Sequence, residues 1–304
     1  LRENVVALAR NIGYTPRSTT AAKAIVSFFI DTTDFATKPV TLTLKKGIVA
    51  TSASVFGSES YSFCIPTDVT VPVVDGIATF SNVTIYEGTF LTTNFTVSSE
   101  NPAPPTKYIL QNPNIDTSTV EVIVRDTQAS TSSKKFVFSD TLIEVTSTSR
   151  VYFLQEIEDQ RYELIFGDGV FGEALKSLNF IEVSYITTHG DVANNISSFS
   201  FNGRIVDNNN NLVSTGISVI TTINDSIGGK AIESVDSIKR YAPKIYSTYN
   251  RAVTAADYEA LIPKVYPETE SVSVFGGEEM SPPRYGKVFI TIKPFYGPYV
   301  PDSI

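Results

Sequence analysis

A strict alternation of polar and apolar residues runs through Val40-Thr41-Leu42-Thr43-Leu44. A period of two is what a half-buried β-strand requires, because successive side chains point to opposite faces of a sheet. Similar short runs, separated by Gly, Pro, Asn and Asp, recur along the first three quarters of the chain, which is typical of an antiparallel β-sandwich or small barrel. The predicted strands are 24–30, 40–44, 61–65, 77–80, 90–97, 120–124, 136–138, 150–153, 162–166, 180–187, 197–201 and 218–222.

Outside this β-rich stretch the periodicity is helical. Residues 1–10 predict the end of a helix with Leu1, Val5 and Leu8 on its apolar face, and Gly13 is expected to stop it. After a Gly-Gly pair at 228–229, a second helix is predicted to end at Pro243, because proline cannot continue the hydrogen-bond ladder. The residues expected on its apolar face are Ile232, Val235, Ile238 and Ala242.

A third helix is predicted to begin at Thr254. Thr254 and Asp257 have the spacing of a capping box, Val253 and Tyr258 have that of a hydrophobic staple, and Pro263 is expected to limit the helix. Two strands, 271–275 and 287–293, follow it. The chain is therefore predicted to be mainly β, with antiparallel sandwich-like or barrel-like domains and a small α+β part of two helices and two strands at its C-terminal end.

We expect four segments along the chain. These are an N-terminal helix end and linker at 1–20, a β-sandwich-like domain at 21–126, a second β-rich domain at 127–227 and an α+β assembly domain at 228–304. The division near 127 rests on the low-complexity run from Thr127 to Lys135. The chain begins at Leu1 and its single methionine is Met280, so we also expect a fragment or a processed chain.

Composition excludes several classes of site. The 304 residues contain one cysteine, Cys64, and one histidine, His189, so one chain forms no internal disulfide and no two-histidine metal site. A net charge of −8 without a basic tract argues against nucleic-acid binding, and no apolar run approaches the roughly 20 residues of a membrane span. We therefore predict no cofactor, no metal, no nucleic acid and no membrane partner.

The segment Gly167-Asp168-Gly169-Val170-Phe171-Gly172 matches the pattern of a phosphate-binding loop. Only seven residues separate Gly172 from the strand predicted at 180, which is too few for the crossover helix of a dinucleotide site. We predict a hairpin turn instead, an exposed loop position for His189 and a buried position for Cys64. Since no nucleophile, base or acid cluster stands out, we predict that the chain is not an enzyme.

The segment Gly228–Pro243 resembles a signature of the baseplate J-like family, in which a Gly-Gly pair, a Glu-Ser pair and an arginine-containing helix recur. Arg251–Glu259 resembles that family's Thr-x-x-Asp-Tyr helix start, and Tyr266–Pro294 looks like its T-even-type phage branch. One departure is Ser177-Leu178-Asn179, where the family pattern has Asp-Gly-Asn. The residues expected at an assembly interface on this basis are Gly228, Gly229, Ile232, Glu233, Ser234, Ile238, Arg240, Pro243, Arg251, Thr254, Asp257, Tyr258, Gly276, Gly277, Arg284 and Tyr285.

The resemblance implies a structural subunit of a contractile phage tail baseplate wedge. It implies a homodimer that assembles into the inner ring of the baseplate and binds other wedge proteins, with assembly in the cytoplasm of the host bacterium and no catalysis or cofactor. Two alternatives remain open: a non-catalytic β-sandwich binding module, such as an adhesin or a carbohydrate-binding protein, and an acid-pair hydrolase.

Charge distribution adds an expectation about self-association. From Gly228 to Ile304 there are nine Lys/Arg and nine Asp/Glu, whereas the residues upstream carry 15 and 23. Two copies of a charge-balanced segment can approach without mutual repulsion. We therefore predict a self-association surface between Gly228 and Pro294; the alternative is that this segment only caps the second β-rich domain.

Overall fold

The computed structural model describes residues 2–52, 60–98, 107–142, 144–248, 251–266, 269–294 and 300. It divides the chain into two compact units. One, here called the β unit, is Ser18–Ile232. The other, here called the terminal unit, joins the two ends of the chain, Leu1–Arg17 and Glu233–Ile304.

The β unit is built from short strands, most of them paired with antiparallel neighbours. Each of the twelve strands predicted up to residue 222 overlaps an observed strand. The strands are β1 (Lys23–Asp31), β2 (Thr41–Leu44), β3 (Gly47–Ser52), β4 (Ser62–Ile65), β5 (Val69–Val74), β6 (Ile77–Glu87), β7 (Thr89–Thr96), β8 (Tyr108–Leu110), β9 (Ile115–Arg125), β10 (Ser133–Phe138), β11 (Val151–Glu156), β12 (Tyr162–Phe166), β13 (Phe180–Thr187), β14 (Phe199–Phe201), β15 (Ile205–Asp207), β16 (Leu212–Val213) and β17 (Thr221–Ile227).

The larger sheet of the β unit has ten strands and is nearly closed into a barrel. Its main path runs β14-β3-β4-β6-β5-β2-β15-β16, and β1 pairs with both β6 and β17. Alternation explains its core, since Val26, Phe28 and Ile30 of β1 are buried while the residues between them are not. Phe28 stacks on Phe80 with ring centroids 4.8 Å apart.

The second sheet has seven strands in the order β7-β13-β9-β10-β11-β12-β8. All of its pairs are antiparallel except β10 with β11. Two buried tyrosines in its core keep their hydroxyl groups hydrogen-bonded: Tyr152 donates to the Val120 carbonyl at 2.9 Å, and Tyr185 lies 2.7 Å from Oδ1 of Asn112. The predicted mainly β, antiparallel and barrel-like fold is confirmed.

The sheets do not follow the predicted division at residue 126. β9 pairs with β10 across it, so the run from Thr127 to Lys135 connects neighbouring strands of one sheet. β14 to β17, from the predicted second domain, belong to the large sheet together with β1 to β6. A linear split misses this arrangement, because antiparallel sheets pair strands that are distant in sequence.

The predicted hairpin at Gly167–Gly169 is wrong. β12, which precedes it, pairs with β11 and β8, whereas β13, which follows, pairs with β7 and β9. The segment forms a local turn instead, in which the Gly169 N–H donates to the Gly172 carbonyl at 3.0 Å.

The terminal unit contains α1 (Arg2–Asn11), α2 (Val235–Thr248), α3 (Ala255–Val265), β18 (Thr269–Gly276) and β19 (Val288–Pro294). β18 and β19 form an antiparallel pair, as predicted. Gly13 follows α1 with φ +79°, a conformation that glycine adopts without strain. Of the predicted face of α1, Val5 packs against the cluster that Val6 and Ala9 form with Ile238 and Ala242 of α2, and Leu1 lies outside the described residues. The prediction is wrong for Leu8, which is 67% exposed.

The predicted helix end at Pro243 is wrong, whereas Pro263, which was expected to limit α3, lies two residues before the last residue of that helix. α2 continues through Pro243 to Thr248, and α3 continues through Pro263 to Val265. Pro243 is exposed, so water can bind the carbonyl one turn earlier that lacks a helical donor. The segment before α2, including Ile232, is not helical.

Candidate interaction site

Glu233 is a buried charged residue of the terminal unit, placed where the first residues of the chain meet the start of α2. Its carboxylate accepts hydrogen bonds from the Tyr14 hydroxyl at 2.7 Å, the Ser237 hydroxyl at 2.6 Å and the Arg17 N–H at 3.0 Å. Arg2 donates to its backbone carbonyl. Arg2, Tyr14 and Arg17 are each more than 200 positions from Glu233 in the sequence, whereas Ser237 is close to it. We call this group, consisting of Arg2, Tyr14, Arg17, Glu233 and Ser237, the Glu233 cluster.

Tyr14, which donates to the Glu233 carboxylate, has a strongly raised pKa. Burial raises the pKa of the Tyr14 hydroxyl far above its ordinary value, and the negative charge of Glu233 raises it further. The hydroxyl therefore stays protonated and remains a hydrogen-bond donor to the carboxylate. A buried carboxylate is tolerated when several donors satisfy it, as they do here.

Ser234 begins α2. Its hydroxyl accepts from the Ser237 N–H at 3.2 Å, and its carbonyl accepts the first helical bond from Ile238 at 3.0 Å. This is the geometry of an N-cap serine. The Glu-Ser pair of the predicted motif thus has two structural roles: the glutamate joins the two ends of the chain and the serine starts the helix.

Gly228 and Gly229 lie in the β unit, in a tightly packed turn. Gly228 has φ +85°. A Cβ on Gly229 would lie 2.2 Å from the Gly190 carbonyl oxygen, and Asn194 brackets the same residue by binding both its N–H and its carbonyl. The close approach requires glycine at 229, and the positive φ favours it at 228.

Thr254 caps α3 as predicted. Its hydroxyl accepts from the Asp257 N–H at 3.3 Å, and the Asp257 carboxylate accepts from the Thr254 N–H at 2.8 Å. Backbone hydrogen bonds from Thr254 and then Val253 lower the pKa of Asp257. The hydrophobic staple is not formed, because Val253 is 77% exposed.

The predicted motif residues between β18 and β19 shape the connection of these strands. A Cβ on Gly277 would lie 1.9 Å from the Arg284 carbonyl oxygen, so this position requires glycine. The Arg284 N–H donates to the Gly277 carbonyl at 2.7 Å. Gly276 precedes this turn, and Tyr285 is 80% exposed.

The part of the predicted set in an interface stays a prediction, and the burial of its members differs. Ile238 is fully buried within its own chain, so its side chain does not reach a partner, and Tyr258 is half-buried in α3. Arg240, Pro243, Arg251, Arg284 and Tyr285 are exposed. The sequence reasoning did not single out the partners of Glu233, because no local pattern links Tyr14 and Arg17 to a glutamate in the distant part of the chain.

The residues considered for catalysis have structural environments in the β unit. Burial and then the charge of Glu87 raise the pKa of the Cys64 thiol to about 12, so it is not a reactive thiolate. His189 is 66% exposed, as predicted, and its Nδ1 lies 2.6 Å from a carboxylate oxygen of buried Glu87. Among the described residues, no group of three or more His, Cys, Asp or Glu is arranged to hold a metal ion. No described helix is long and apolar enough to cross a membrane.

The glycine-rich turn also lacks the free donors of a phosphate cradle. The Asp168 carboxylate accepts from the N–H groups of Val170 at 2.9 Å and Phe171 at 2.8 Å, which lowers its pKa. The protein's own anion therefore occupies the backbone donors that a bound phosphate would need.

Two family models match separate parts of the chain. Residues 100–195 match the third domain of bacteriophage baseplate wedge protein gp6, and residues 254–303 match C-terminal domain I of the baseplate structural protein gp6. The chain is also 25% identical, over an alignment of 326 residues, to baseplate wedge protein gp6 of Enterobacteria phage T4. That alignment covers 99% of this chain and 46% of the relative, so the chain spans about half the relative's length.

A solved structure, the cryo-EM structure of the anti-feeding prophage baseplate, contains a chain similar to this one. The TM-score is 0.32 at 15% identity, covering 89% of this chain and 48% of that chain, which is too low to establish a common fold. The matched models are those of gp6, so the resemblance to the J-like family stays a prediction. The two gp6 domain models and the phage T4 relative together support a baseplate wedge protein of a contractile-tail phage.

Proposed function

We propose that this chain is a structural part of a baseplate wedge in the tail of a contractile-tail phage. The observation that carries the proposal is the extent of the similarity: the phage T4 relative aligns with 99% of the chain, and one gp6 domain model matches in each of the two units. A role in assembly rather than catalysis agrees with a buried Cys64 thiol and a glycine-rich turn whose donors Asp168 occupies.

The finer proposal is that the chain self-associates, as a dimer within an inner ring, and binds other wedge proteins. Its support is the charge balance of residues 228–304, nine basic against nine acidic, which permits close approach of two copies. Exposed valines at both ends of α3, Val253 at 77% and Val265 at 79%, offer apolar surface in the same unit. The proposed location is the tail baseplate of the virion, after assembly in the host cytoplasm.

Sedimentation of the chain over a range of concentrations tests self-association. The mass is expected to rise above 33.2 kDa in the parent chain. Val265→Asp is expected to shift association to higher concentration with the fold retained, because a charge would be buried at the contact. Val170→Asp is the matched control, since Val170 is an exposed valine in the β unit. A parent chain that stays monomeric at high micromolar concentration would contradict self-association for this chain.

The alternative of an adhesin or carbohydrate-binding module predicts a different result. Such a module binds glycans and has no need to self-associate. A glycan array probed with the purified chain separates the two functions, and reproducible binding by a monomeric chain would favour the binding module.

A further inference from the structure

The two-stranded sheet of the terminal unit has a register that fixes which backbone groups face outward. The last pair of the β18–β19 ladder is Gly276 with Val288. Gly277 and Lys287 come next, and they form a hydrogen-bonded pair, because the Gly277 N–H donates to the Lys287 carbonyl at 2.8 Å. Hydrogen-bonded and non-hydrogen-bonded pairs alternate in an antiparallel ladder. The N–H and carbonyl groups of Val288, Ile290 and Ile292 therefore point away from β18, towards the outer edge of β19.

The outer edge of β18 is protected by carboxylates. The outward Val274 N–H donates to Oε1 of Glu259, and the Gly276 N–H donates to Oε1 of Glu279, both at 3.4 Å. These side chains occupy two of the outward donors of β18 and place negative charge along the edge, which discourages the addition of another strand. Among the described residues, none forms a corresponding hydrogen bond with the outward groups of β19.

The side chains on the open edge are aliphatic. Val274 of β18 is buried, and α3 packs against that strand. Val288 and Ile290 of β19 lie on the same face of the sheet, opposite Gly276 and Val274, yet they are 47% and 44% exposed. The apolar face is thus covered at β18 and uncovered at β19. A third strand would bury these side chains and pair the outward backbone groups in one step.

Charge distinguishes between possible occupants of this edge. Lys287 and Lys293 flank the three aliphatic residues. Lys293 forms an ion pair with Glu270 at 2.7 Å, whereas Lys287 has no ion pair within the part of the chain that the structure describes. A second copy added antiparallel about Ile290 would set Lys287 opposite Lys293 of the other copy, and like charges directly opposite are destabilising. An acidic residue at that place would be favourable.

We propose that β19 is a docking strand for an extended segment of another protein, which adds antiparallel as a third strand. The segment carries aliphatic side chains at alternate positions, opposite Val288, Ile290 and Ile292, and Asp or Glu opposite Lys287. This inference goes beyond the baseplate assignment and does not depend on it. In this proposal β19 binds another protein, whereas the surface at the ends of α3 binds a second copy of this chain.

The test is an NMR titration of the ¹⁵N-labelled chain with the extended peptide Glu-Val-Thr-Val-Thr-Val-Glu. The amide signals of Val288, Ile290 and Ile292 are expected to shift. The shifts are expected to saturate by about 1 mM peptide, as they would for a weak complex. Methylating the valine nitrogens removes donors that face β19 and is expected to abolish the shifts. Methylating the threonine nitrogens, which face away, is the matched control and is expected to leave them.

Two variants sharpen the test. Ile290→Pro removes one outward N–H without touching the β18–β19 bonds and is expected to abolish binding, while Ile290→Val is expected to retain it. Lys287→Glu is expected to reverse the preference at the peptide position opposite residue 287, so that the peptide in which only the last Glu is replaced by Lys binds more tightly than the acidic one by about tenfold. This second variant keeps the proposal testable if the proline variant does not fold.

Three results of the peptide titrations would overturn the proposal. These are the absence of any shift with the folded parent chain, shifts that map to β18 instead of β19, and no reversal of preference in a folded Lys287→Glu chain. Shifts of the β19 amides on raising protein concentration without peptide would also overturn it, because the occupant would then be a second copy.

Discussion

The β unit and the terminal unit are stabilised differently. Among the described residues, the two apolar clusters of the β unit contain 18 and 13 buried residues, whereas the α1–α2 cluster of the terminal unit contains four. Beside that small cluster lies the buried Glu233 carboxylate with its donors from both ends of the chain. Where little apolar surface is buried, one satisfied polar group contributes a larger share of the stability.

The largest expected effect comes from placing a charge in the small core of the terminal unit. Ile238→Asp buries an unpaired carboxylate among Val6, Ala9 and Ala242 and is expected to destabilise by more than about 4 kcal/mol. Circular dichroism should lose its helical signal while sheet signal remains, because all described α-helices lie in the terminal unit. Arg240→Asp, an exposed change on the same helix, is the control. A folded Ile238→Asp chain would contradict the packing described here.

The next effect tests the Glu233 cluster. Glu233→Gln keeps the side-chain size but replaces an acceptor oxygen with a donor, so it is expected to destabilise the terminal unit by about 2–3 kcal/mol. Tyr14→Phe removes one donor and is expected to cost about 1–2 kcal/mol. Denaturant melts of both single variants and of the double variant measure their coupling. Tyr285→Phe, at an exposed tyrosine, should melt like the parent; additive effects of the first two would show that they do not act together.

A smaller effect is expected at the start of α3. Thr254→Ala removes the cap and is expected to cost about 1 kcal/mol, whereas Thr254→Ser should retain most of the stability. Because the folded-state pKa of Asp257 is lowered, its contribution is present above the unfolded value of about 3.9 and is lost as pH falls through the folded value. The destabilisation caused by Asp257→Asn should therefore shrink below that pH. Melting curves at several pH values measure both effects, and equal curves for Thr254→Ala and parent would remove the capping argument.

The smallest expected effect is a stabilisation in the β unit. Leu178 has φ +67°, in the region that favours glycine, and the resemblance to the J-like family predicts glycine at this position. A left-handed leucine costs about 1–2 kcal/mol, and glycine costs about 0.5–1 kcal/mol in backbone entropy, so Leu178→Gly is expected to gain about 0.5–1 kcal/mol. Ser177→Gly, at a neighbour without positive φ, should destabilise instead. A Leu178→Gly chain that melts below the parent would show that the half-exposed leucine side chain contributes more than its backbone strain costs.

Local pattern predicted the capping box and twelve of the seventeen described strands of the β unit, because alternation and cap spacing are properties of neighbouring residues. It missed the strands β3, β5, β8, β15 and β16. Local pattern failed where tertiary contacts determine which residues are buried and where a helix ends. Val5 and Val6 of α1 are both apolar, and only the position of α2 determines that Val6 is the buried one. Pro243 was expected to end a helix, but α2 continues through it, because the buried contacts of Ile238, Ala242 and Ile245 stabilise the helix despite the cost of the proline.

The candidate site shows the same limit. The family resemblance directed attention to Glu233, yet its contacts with Tyr14 and Arg17 span more than 200 residues and leave no periodic signal. The open edge of β19 could not be predicted from the sequence either, because Val288, Ile290 and Ile292 form an ordinary alternating face there. Which backbone groups face outward follows only from the register with β18.

Hydrogen exchange of the parent chain and of Glu233→Gln, compared amide by amide, tests the central claim most directly. If the Glu233 cluster holds the two chain ends together, the amides of α1 and α2 should lose protection together in the variant, while those of β1 and β13 keep theirs. Equal loss of protection in both units, or unchanged protection in α1 and α2, would contradict the account.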